Sequence, residues 1–396
     1  MLGFDRSELI SVFERMRRHV EEGKPTLADR VYKIPVTSYL DERRWSAELE
    51  QVFRRRPIAL AFTAEFRDAG SYRASTIAGI PVLLVRTRAG AVKGFLNVCR
   101  HRGMRLVADG CGHANRFTCM YHAWSYAADD GRLVALPEAA SFGEIERRSY
   151  GLIPISVEER FGIIWGILTP GRELDLDGWL GEIAPLLGKL GLEQFEMFAS
   201  TELEGPNWKI AMEGYLETYH FASLHAKSFS SYIFSNVSMV DVFGRHFRLC
   251  TPIRGIESFT PPPTPTWNPS AYVQHSFMIF PNLQLSFGAV QSGPDPVERL
   301  LVSQVFPGEN LGTSRTIQRI MSSRNVRGTT QEREIEQFAS LALTTVREED
   351  YPATRQIQMT LKSGANSHFT LGRNEMGVQQ LHRFLDEILA DEGIRA

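Results

Sequence analysis

The stretch Cys99-Arg-His-Arg-Gly, followed by Cys119-Met-Tyr-His-Ala, decides the fold of one part of this chain. Each half has one cysteine and one histidine, at the spacings C-x-H and C-x2-H. Zinc fingers usually pair cysteine with cysteine and histidine with histidine along the sequence. Mixed pairs on two facing loops suit a [2Fe–2S] cluster instead. The sequence therefore predicts Cys99 and Cys119 on an inner iron, with His101 and His122 on an outer iron.

Such a Rieske-type cluster places its imidazoles toward the surface, where an electron can leave or a partner can dock. Gly103 follows the first ligand pair, and glycine permits the tight turn needed there. Cys111 and His113 repeat the C-x-H spacing, but they lie too close to Cys119 to form a separate facing loop. We interpret them as part of the excursion between the ligand loops. A structural zinc site is the alternative, since short motifs also occur without their usual function.

The composition is that of a folded protein with more than one core. At 396 residues, 43% of them hydrophobic, the chain is long enough for two domains. The net charge of −2 gives no electrostatic reason to expect nucleic acid or an anionic membrane as a partner. No apolar run reaches the length of a bilayer span, and no signal pattern opens the chain. Two of the four cysteines are assigned to the cluster, which favours a reducing, cytoplasmic location.

The first part of the chain reads as two helices followed by short strands. Helical spacing of apolar residues predicts helices over about 5–22 and 41–53. The segments 81–85 and 94–98 are typical of a hairpin, and its second strand leads directly into Cys99. We therefore expect a small all-β Rieske domain over residues 35–151, with the cluster at its tip.

The remainder, residues 1–34 and 152–396, is expected to form a larger catalytic domain. Its predicted elements are strands at 161–165, 198–203, 242–252, 272–290, 300–306 and 313–321 and helices at 179–190, 331–361 (possibly broken near Pro352) and 374–391. A Pro-rich loop, 260–269, interrupts the strands and could cover a pocket. Antiparallel strands backed by long helices indicate an α+β fold with a sheet wrapped on a helix, of the helix-grip or START-like type.

A second group of chemically informative residues lies at Glu217, His220 and His225. Glu217 and His220 are three residues apart, so a helix would place them on adjacent turns of one face. His225 is five residues beyond His220, so the helix must bend or end if both imidazoles bind one ion. Two histidines and a carboxylate form the facial triad of non-haem Fe(II) oxygen enzymes. The alternative is that these histidines are ordinary packed residues.

The two groups together resemble the α subunits of Rieske non-haem iron oxygenases, the aromatic-ring-hydroxylating type. The resemblance runs from C-x-H-R-G, through N-W-K…E-x-Y-H-x4-H, to the C-terminal helices. It implies that Cys99, His101, Cys119 and His122 hold the [2Fe–2S] cluster and that His220, His225 and Asp350 bind a catalytic Fe(II). For Asp350 the alternative is a run of acidic residues, 348–350, that only stabilises a helix N-terminus.

Glu217 stands where the family usually has a bridging Asp. The resemblance implies that this carboxylate connects His220 to the cluster ligand His122 of a neighbouring subunit, in a head-to-tail homotrimer without a small β subunit. Glu is one methylene longer than Asp but keeps both acceptor oxygens. We therefore expect the bridging role to survive, with altered geometry.

The activity implied is that of a terminal oxygenase. Electrons from a ferredoxin or reductase and O2 would hydroxylate or dihydroxylate an aromatic or related hydrophobic substrate, with Phe221, Phe229, Phe234 and Phe277 as pocket or core residues. An O- or N-demethylase or a quaternary-amine monooxygenase is the alternative. Some quaternary-amine oxygenases of the family resembled also have Glu at the bridging position, so Glu217 slightly favours that activity. A different class, a Rieske electron carrier fused to a ligand-binding domain, would lack the catalytic iron.

Overall fold

The computed structural model describes residues 3–262, 267–290, 292 and 297–390. Its helices are α1 (Arg6–Glu22), α2 (Glu42–Ala47), α3 (Leu176–Leu180), α4 (Ala184–Lys189), α5 (Trp208–Glu213), α6 (Phe221–Leu224), α7 (Thr330–Thr344), α8 (Tyr351–Thr360) and α9 (Met376–Ala390). Within these residues, no helix combines the length and apolarity needed to cross a bilayer.

In the described part of the chain the strands are mostly short and lie in four antiparallel sheets. They are β1 (Tyr32–Pro35), β2 (Ile58–Phe62), β3 (Ser71–Ile77), β4 (Ile80–Arg86), β5 (Val92–Leu96), β6 (Gly110–His113), β7 (Arg116–Thr118), β8 (Ser125–Ala127), β9 (Leu133–Ala135), β10 (Pro154–Arg160), β11 (Ile163–Ile167), β12 (Glu196–Gly205), β13 (Met239–Phe243), β14 (His246–Pro252), β15 (Val273–Ile279), β16 (Leu283–Val290), β17 (Val297–Pro307), β18 (Ser314–Ser322) and β19 (His368–Leu371).

The smaller of two compact units runs from Leu49 to Trp179 and is built mainly from β-sheets. Its main sheet has the order β2-β11-β10-β5-β4-β3-β6, and β7, β8 and β9 form a second sheet. The predicted range was 35–151, so the unit begins and ends later than expected. The reason is strand pairing: β10 and β11 hydrogen-bond to β5 and β2, whereas β1 pairs with β19 in the larger unit.

The larger unit, residues up to Glu48 and from Leu180 onward, is built on one seven-stranded antiparallel sheet. The strand order is β12-β18-β17-β16-β15-β14-β13, and α5 and α7 lie against it. This confirms the α+β fold. The single strand predicted at 242–252 was wrong, because Gly244, at φ +58°, makes a turn that divides it into β13 and β14. The segment 272–290 likewise divides into β15 and β16.

A buried ion pair anchors α5 within the larger unit. Lys209 Nζ lies 2.6 and 2.8 Å from the two carboxylate oxygens of Glu48, and both residues are 0% exposed. Trp208 Nε1 donates to the same carboxylate at 3.0 Å, and Arg44 Nε donates to it at 3.1 Å. Every oxygen of this buried charge therefore has a partner, as burial of a carboxylate requires.

One long helical segment near the C-terminus changes its pitch at the predicted metal ligand. Between α7 and α8 the residues Thr345–Asp350 form a π-helical turn. The expected helix over 331–361 is thus confirmed in extent, but its irregularity precedes Pro352 rather than breaking the helix there. Such π turns insert an extra residue per turn and re-aim side chains, and they are frequent at functional sites.

Candidate metal centres and cavity

The two predicted cluster loops have the same backbone construction. The N–H of Cys99 donates to the carbonyl of Met104 at 2.7 Å, and that of Cys119 donates to the carbonyl of Trp124 at 2.8 Å. Each loop turns through a residue of positive φ, Gly103 at +77° and Ala123 at +56°. The expected glycine turn is confirmed. The second loop makes the same turn with an alanine.

The cysteines of these loops point inward and the histidines outward. Cys99 and Cys119 are each 2% exposed, while His101 is partly exposed and His122 is exposed. The two imidazole rings are 4.7 Å apart between centroids. Two soft thiolates within and two imidazoles at the rim match the donor set of a [2Fe–2S] cluster with mixed ligands. The residues present therefore fit the cluster.

Neighbouring aromatic side chains hold these donors in place. The ring of His101 stacks on Trp124 with a centroid distance of 4.8 Å. Tyr126 lies 3.3 Å from the Cys99 sulfur, and burial raises the pKa of the Cys99 thiol. Cys111 and His113, which repeat the C-x-H spacing, lie outside the two cluster loops. They are exposed residues of β6, which pairs with β3.

In the larger unit, three predicted ligands come together. His220 Nε2 lies 3.1 Å from His225 Nε2. Asp350 Oδ1 lies 3.1 Å from His225 Nε2 and 3.7 Å from His220 Nε2. One donor atom from each of the three residues lies within 4.8 Å of the other two. Two imidazoles and one carboxylate on one side of an ion suit ferrous iron and leave other positions open.

The chain path explains how the two histidines converge. α5 ends at Glu213, and His220 and His225 stand at the N-terminal and C-terminal ends of the one-turn helix α6. The prediction that the helix bends or ends between His220 and His225 was wrong in its position, because α6 itself lies between the two histidines and the break precedes His220, after α5 ends at Glu213. Asp350 arrives from the π-helical turn before α8.

Each histidine is oriented by a carboxylate on its other ring nitrogen. Glu217 Oε1 accepts from His220 Nδ1, as expected within the chain. Glu349 Oε2 lies 2.6 Å from His225 Nδ1 and 2.7 Å from Ser228 Oγ. Metal-binding histidines usually donate their second N–H to such an acceptor, which fixes ring and tautomer. The sequence analysis missed the role of Glu349; its position next to Asp350 was the available signal.

The electrostatics of His225 follow from these contacts. Burial alone would lower the pKa of His225, but hydrogen bonds to Asp350 and Glu349 outweigh it and raise that pKa. Two carboxylates thus converge on one imidazole. This is the charge arrangement expected where a cation completes the site.

A cavity of about 630 Å³ opens beside the three donors. His225, Asp350 and Glu217 are part of its wall, with aromatic, aliphatic and polar side chains from β14–β17 and α7. Of the four phenylalanines considered, Phe221 and Phe229 line it. Phe277 is 0% exposed and packs on Phe287, because its neighbour Ser276 faces the cavity and strand residues alternate. Phe234 packs with α1 and its surroundings.

Comparison with protein families identifies both units. Residues 56–151 match the Rieske [2Fe–2S] domain. Residues 192–391, half of the chain, match the ring hydroxylating α subunit, catalytic domain. The chain therefore belongs to the family of ring-hydroxylating oxygenase α subunits. That family has a [2Fe–2S] cluster in the first domain and a mononuclear iron in the second, and the donor sets described above fit both.

Curated relatives have two kinds of name. The glycine betaine monooxygenase oxygenase subunit of Pseudomonas aeruginosa is 29% identical over 198 residues, which is 50% of this chain and 46% of that protein. The chlorobenzene dioxygenase subunit α of Cupriavidus sp. is 34% identical over 222 residues, 53% of this chain and 48% of that protein. The chain thus spans about half the length of the curated relatives it matches.

Solved structures share the fold over almost the whole chain. The quaternary ammonium Rieske monooxygenase CntA in complex with L-carnitine has a TM-score of 0.75 at 20% identity, covering 92% of this chain and 97% of that one. Naphthalene 1,2-dioxygenase from Rhodococcus sp. bound to indole has a TM-score of 0.71 at 17% identity, covering 97% and 99%. These likenesses are evidence for the fold.

Proposed function

We propose that this chain is the terminal oxygenase component of a Rieske-type oxygenase. The observation that supports it best is the three-donor group His220, His225 and Asp350 at the edge of the 630 Å³ cavity. The cavity wall has an apolar majority with a few polar groups, the usual character of a small-molecule site. The reaction proposed is oxygen insertion into an organic substrate, using O2 and externally supplied electrons.

In this proposal, Cys99, His101, Cys119 and His122 hold the [2Fe–2S] cluster, and His220, His225 and Asp350 hold the mononuclear iron. When bound, that iron supplies the redox chemistry by which O2 reacts with substrate. The chain's own contribution is orientation. Glu349 keeps the Nδ1 proton of His225 on the side away from the metal, and Glu217 does the same for His220, so both Nε2 atoms are free to ligate.

We also propose that Glu217 connects its subunit's His220 to His122 of a neighbouring subunit, in a head-to-tail homotrimer. Support comes from exposure: Tyr219, beside Glu217, is 60% exposed, and Met120 and Tyr121, beside His122, are 84% and 56% exposed. Exposed large apolar side chains often mark interaction surfaces. The solved structure of a quaternary ammonium Rieske monooxygenase is described as giving insight into inter-subunit electron transfer. The electron donor proposed is a ferredoxin or reductase.

A quaternary-amine monooxygenase is the second candidate, and two observations favour it. Glu217 takes the place of the usual Asp, and relatives include glycine betaine monooxygenase and the carnitine-binding CntA. An electron carrier without catalytic iron is disfavoured, because such a protein has no use for the convergence of His220, His225 and Asp350.

The test is metal analysis with spectroscopy on the purified holoprotein. We expect a reducible [2Fe–2S] signal and a separate ferrous site that gives an Fe(II)–NO signal, with product formed from an aromatic or quaternary-amine substrate in the presence of a generic reductase. A cluster signal with no Fe(II)–NO signal would leave the carrier as the better assignment.

A further inference from the structure

The cavity has a charged group far from the metal donors. On β17, Arg299 and Leu301 both line the cavity, as alternating strand residues do. Directly opposite on β16 stand Gly288 and Ser286, paired with Arg299 and Leu301 respectively. Arg299 is thus part of the cavity wall, in a row of wall residues that continues along β17 to Leu301.

The guanidinium of Arg299 occupies a built slot. Its Cζ lies 3.5 Å from the ring centroid of Phe338 on α7, a stacking contact that suits arginine. It also packs against the backbone of Gly288: a Cβ there would stand 2.8 Å from Nη2 and 3.0 Å from Cζ of Arg299. Any side chain at residue 288 would therefore displace the guanidinium. The absence of a side chain at residue 288 leaves the room that the guanidinium occupies.

The charge of Arg299 is not neutralised by a direct ion pair that the structure describes. Its Nε is buried and has no hydrogen-bond partner among the described residues. Glu334, which also lines the cavity, is the acidic neighbour whose charge acts on Arg299, and one of its oxygens accepts the Ser292 N–H at 2.8 Å. Burial lowers the pKa of Arg299 to about 10, which leaves the guanidinium charged at neutral pH. Buried unpaired donors are uncommon and indicate a missing partner.

Two independent measures place Arg299 well away from the metal donors. Arg299 and Ser303 are four residues apart on β17, about 13 Å, and Ser303 neighbours the cavity residue Tyr215, whose pKa the charge of Asp350 helps to raise. Phe338, under the guanidinium, lies six residues, about 9 Å, before Thr344 at the end of α7, and Asp350 lies six residues further on, at the end of the π-helical turn. A ligand that touches both Arg299 and the three donors must therefore be an extended molecule.

We propose that the cavity binds an organic carboxylate, whose carboxylate group pairs with Arg299 and whose uncharged skeleton reaches the His220–His225–Asp350 group. The proposal rests on the proposed function and names its substrate class. A guanidinium edge matches a carboxylate with two parallel hydrogen bonds. The same charge repels a quaternary ammonium group.

The experiment measures binding rather than turnover. Anaerobic holoprotein is titrated in a calorimeter with 4-phenylbenzoate, its neutral amide 4-phenylbenzamide, and a trimethylammonium analogue of equal length, and binding near iron is read from the change in the Fe(II)–NO signal. The variants are Arg299→Gln, Arg299→Lys and Gly288→Ala. Arg333→Gln is the matched control. Arg333 lies on α7, the helix that carries Phe338, but it is exposed and is not part of the cavity wall.

We expect the wild type to bind the carboxylate at least tenfold more tightly than the amide or the cation. Arg299→Gln should remove that preference while amide affinity changes less than threefold, and Arg299→Lys should retain part of it. Gly288→Ala, which keeps the charge but displaces it, should weaken carboxylate binding severalfold. Arg333→Gln should match the wild type.

Equal affinity for acid and amide in the wild type, a preference for the cation, or full carboxylate affinity in Arg299→Gln would each overturn the proposal. Failure of the proposed function has a different signature, because it appears as absence of the Fe(II)–NO signal in every protein, the wild type included.

Discussion

Glu349 gives the sharpest test of how the chain supports its proposed iron. Its carboxylate accepts from His225 Nδ1 at 2.6 Å and from Ser228 Oγ at 2.7 Å. Glu349→Gln keeps the size of the side chain but removes the charge that strengthens both hydrogen bonds. Loss of such an orienting partner typically weakens metal affinity 10- to 100-fold, which is about 1.4–2.7 kcal/mol. We therefore expect Fe(II) affinity to fall by that factor.

The assay is anaerobic competition for Fe(II) between the protein and a chelator of known affinity. Glu348→Gln is the matched control: Glu348 is the adjacent residue, its side chain is 58% exposed, and it pairs with Arg347 at 2.8 Å. Its affinity should stay within twofold of the wild type. The absorbance of the [2Fe–2S] cluster should be the same in all three proteins. Wild-type Fe(II) affinity in Glu349→Gln would refute the reasoning.

Three further predictions concern ligation, stability and pH. His220→Ala should keep the cluster spectrum and lose the Fe(II)–NO signal and product formation, so turnover at the wild-type rate would remove His220 from the site. Lys209→Met leaves the fully buried Glu48 without its closest partner and should lower the free energy of unfolding, measured in urea, by about 3–5 kcal/mol. Lys189→Met breaks a partly exposed pair with Glu8 and should lower it by less than about 1 kcal/mol. Burial, to which the charge of Arg248 adds, lowers the pKa of His275 to about 3. The neutral imidazole therefore stabilises the fold above pH 6.5, and this contribution is lost as the pH falls. Between pH 7 and 5 the free energy of unfolding of the wild type should fall by about 2 kcal/mol more than that of His275→Gln, and identical pH profiles would contradict this.

Local sequence signals predicted the parts of the structure that are local. The ligand loops around Cys99 and Cys119, both ends of α1 and the start of α9 follow from short-range spacing, turn residues and helical periodicity. The five-residue spacing of His220 and His225 predicted a break in the helix but placed it too late, because the break precedes His220 and α6 lies between the two histidines. Asp350 was found through family resemblance rather than from its own surroundings, because acidic runs at helix starts are common.

Contacts between distant parts of the chain were not predictable in this way. β10 and β11 belong to the smaller unit because of pairings with β5 and β2, which no local pattern encodes. The role of Glu349 depends on a residue 124 positions earlier. The slot for Arg299 requires Gly288 and Phe338 on two other elements, and a single glycine in a strand does not reveal which side chain needs its space.

The central claim is that one chain holds two different metal centres. Iron and sulfide quantitation on the purified wild type and on Asp350→Ala tests it most directly. We predict about three irons and two sulfides per wild-type chain, and about two irons with unchanged sulfide in the variant. Equal iron content in the two proteins, with no Fe(II)–NO signal in either, would contradict it.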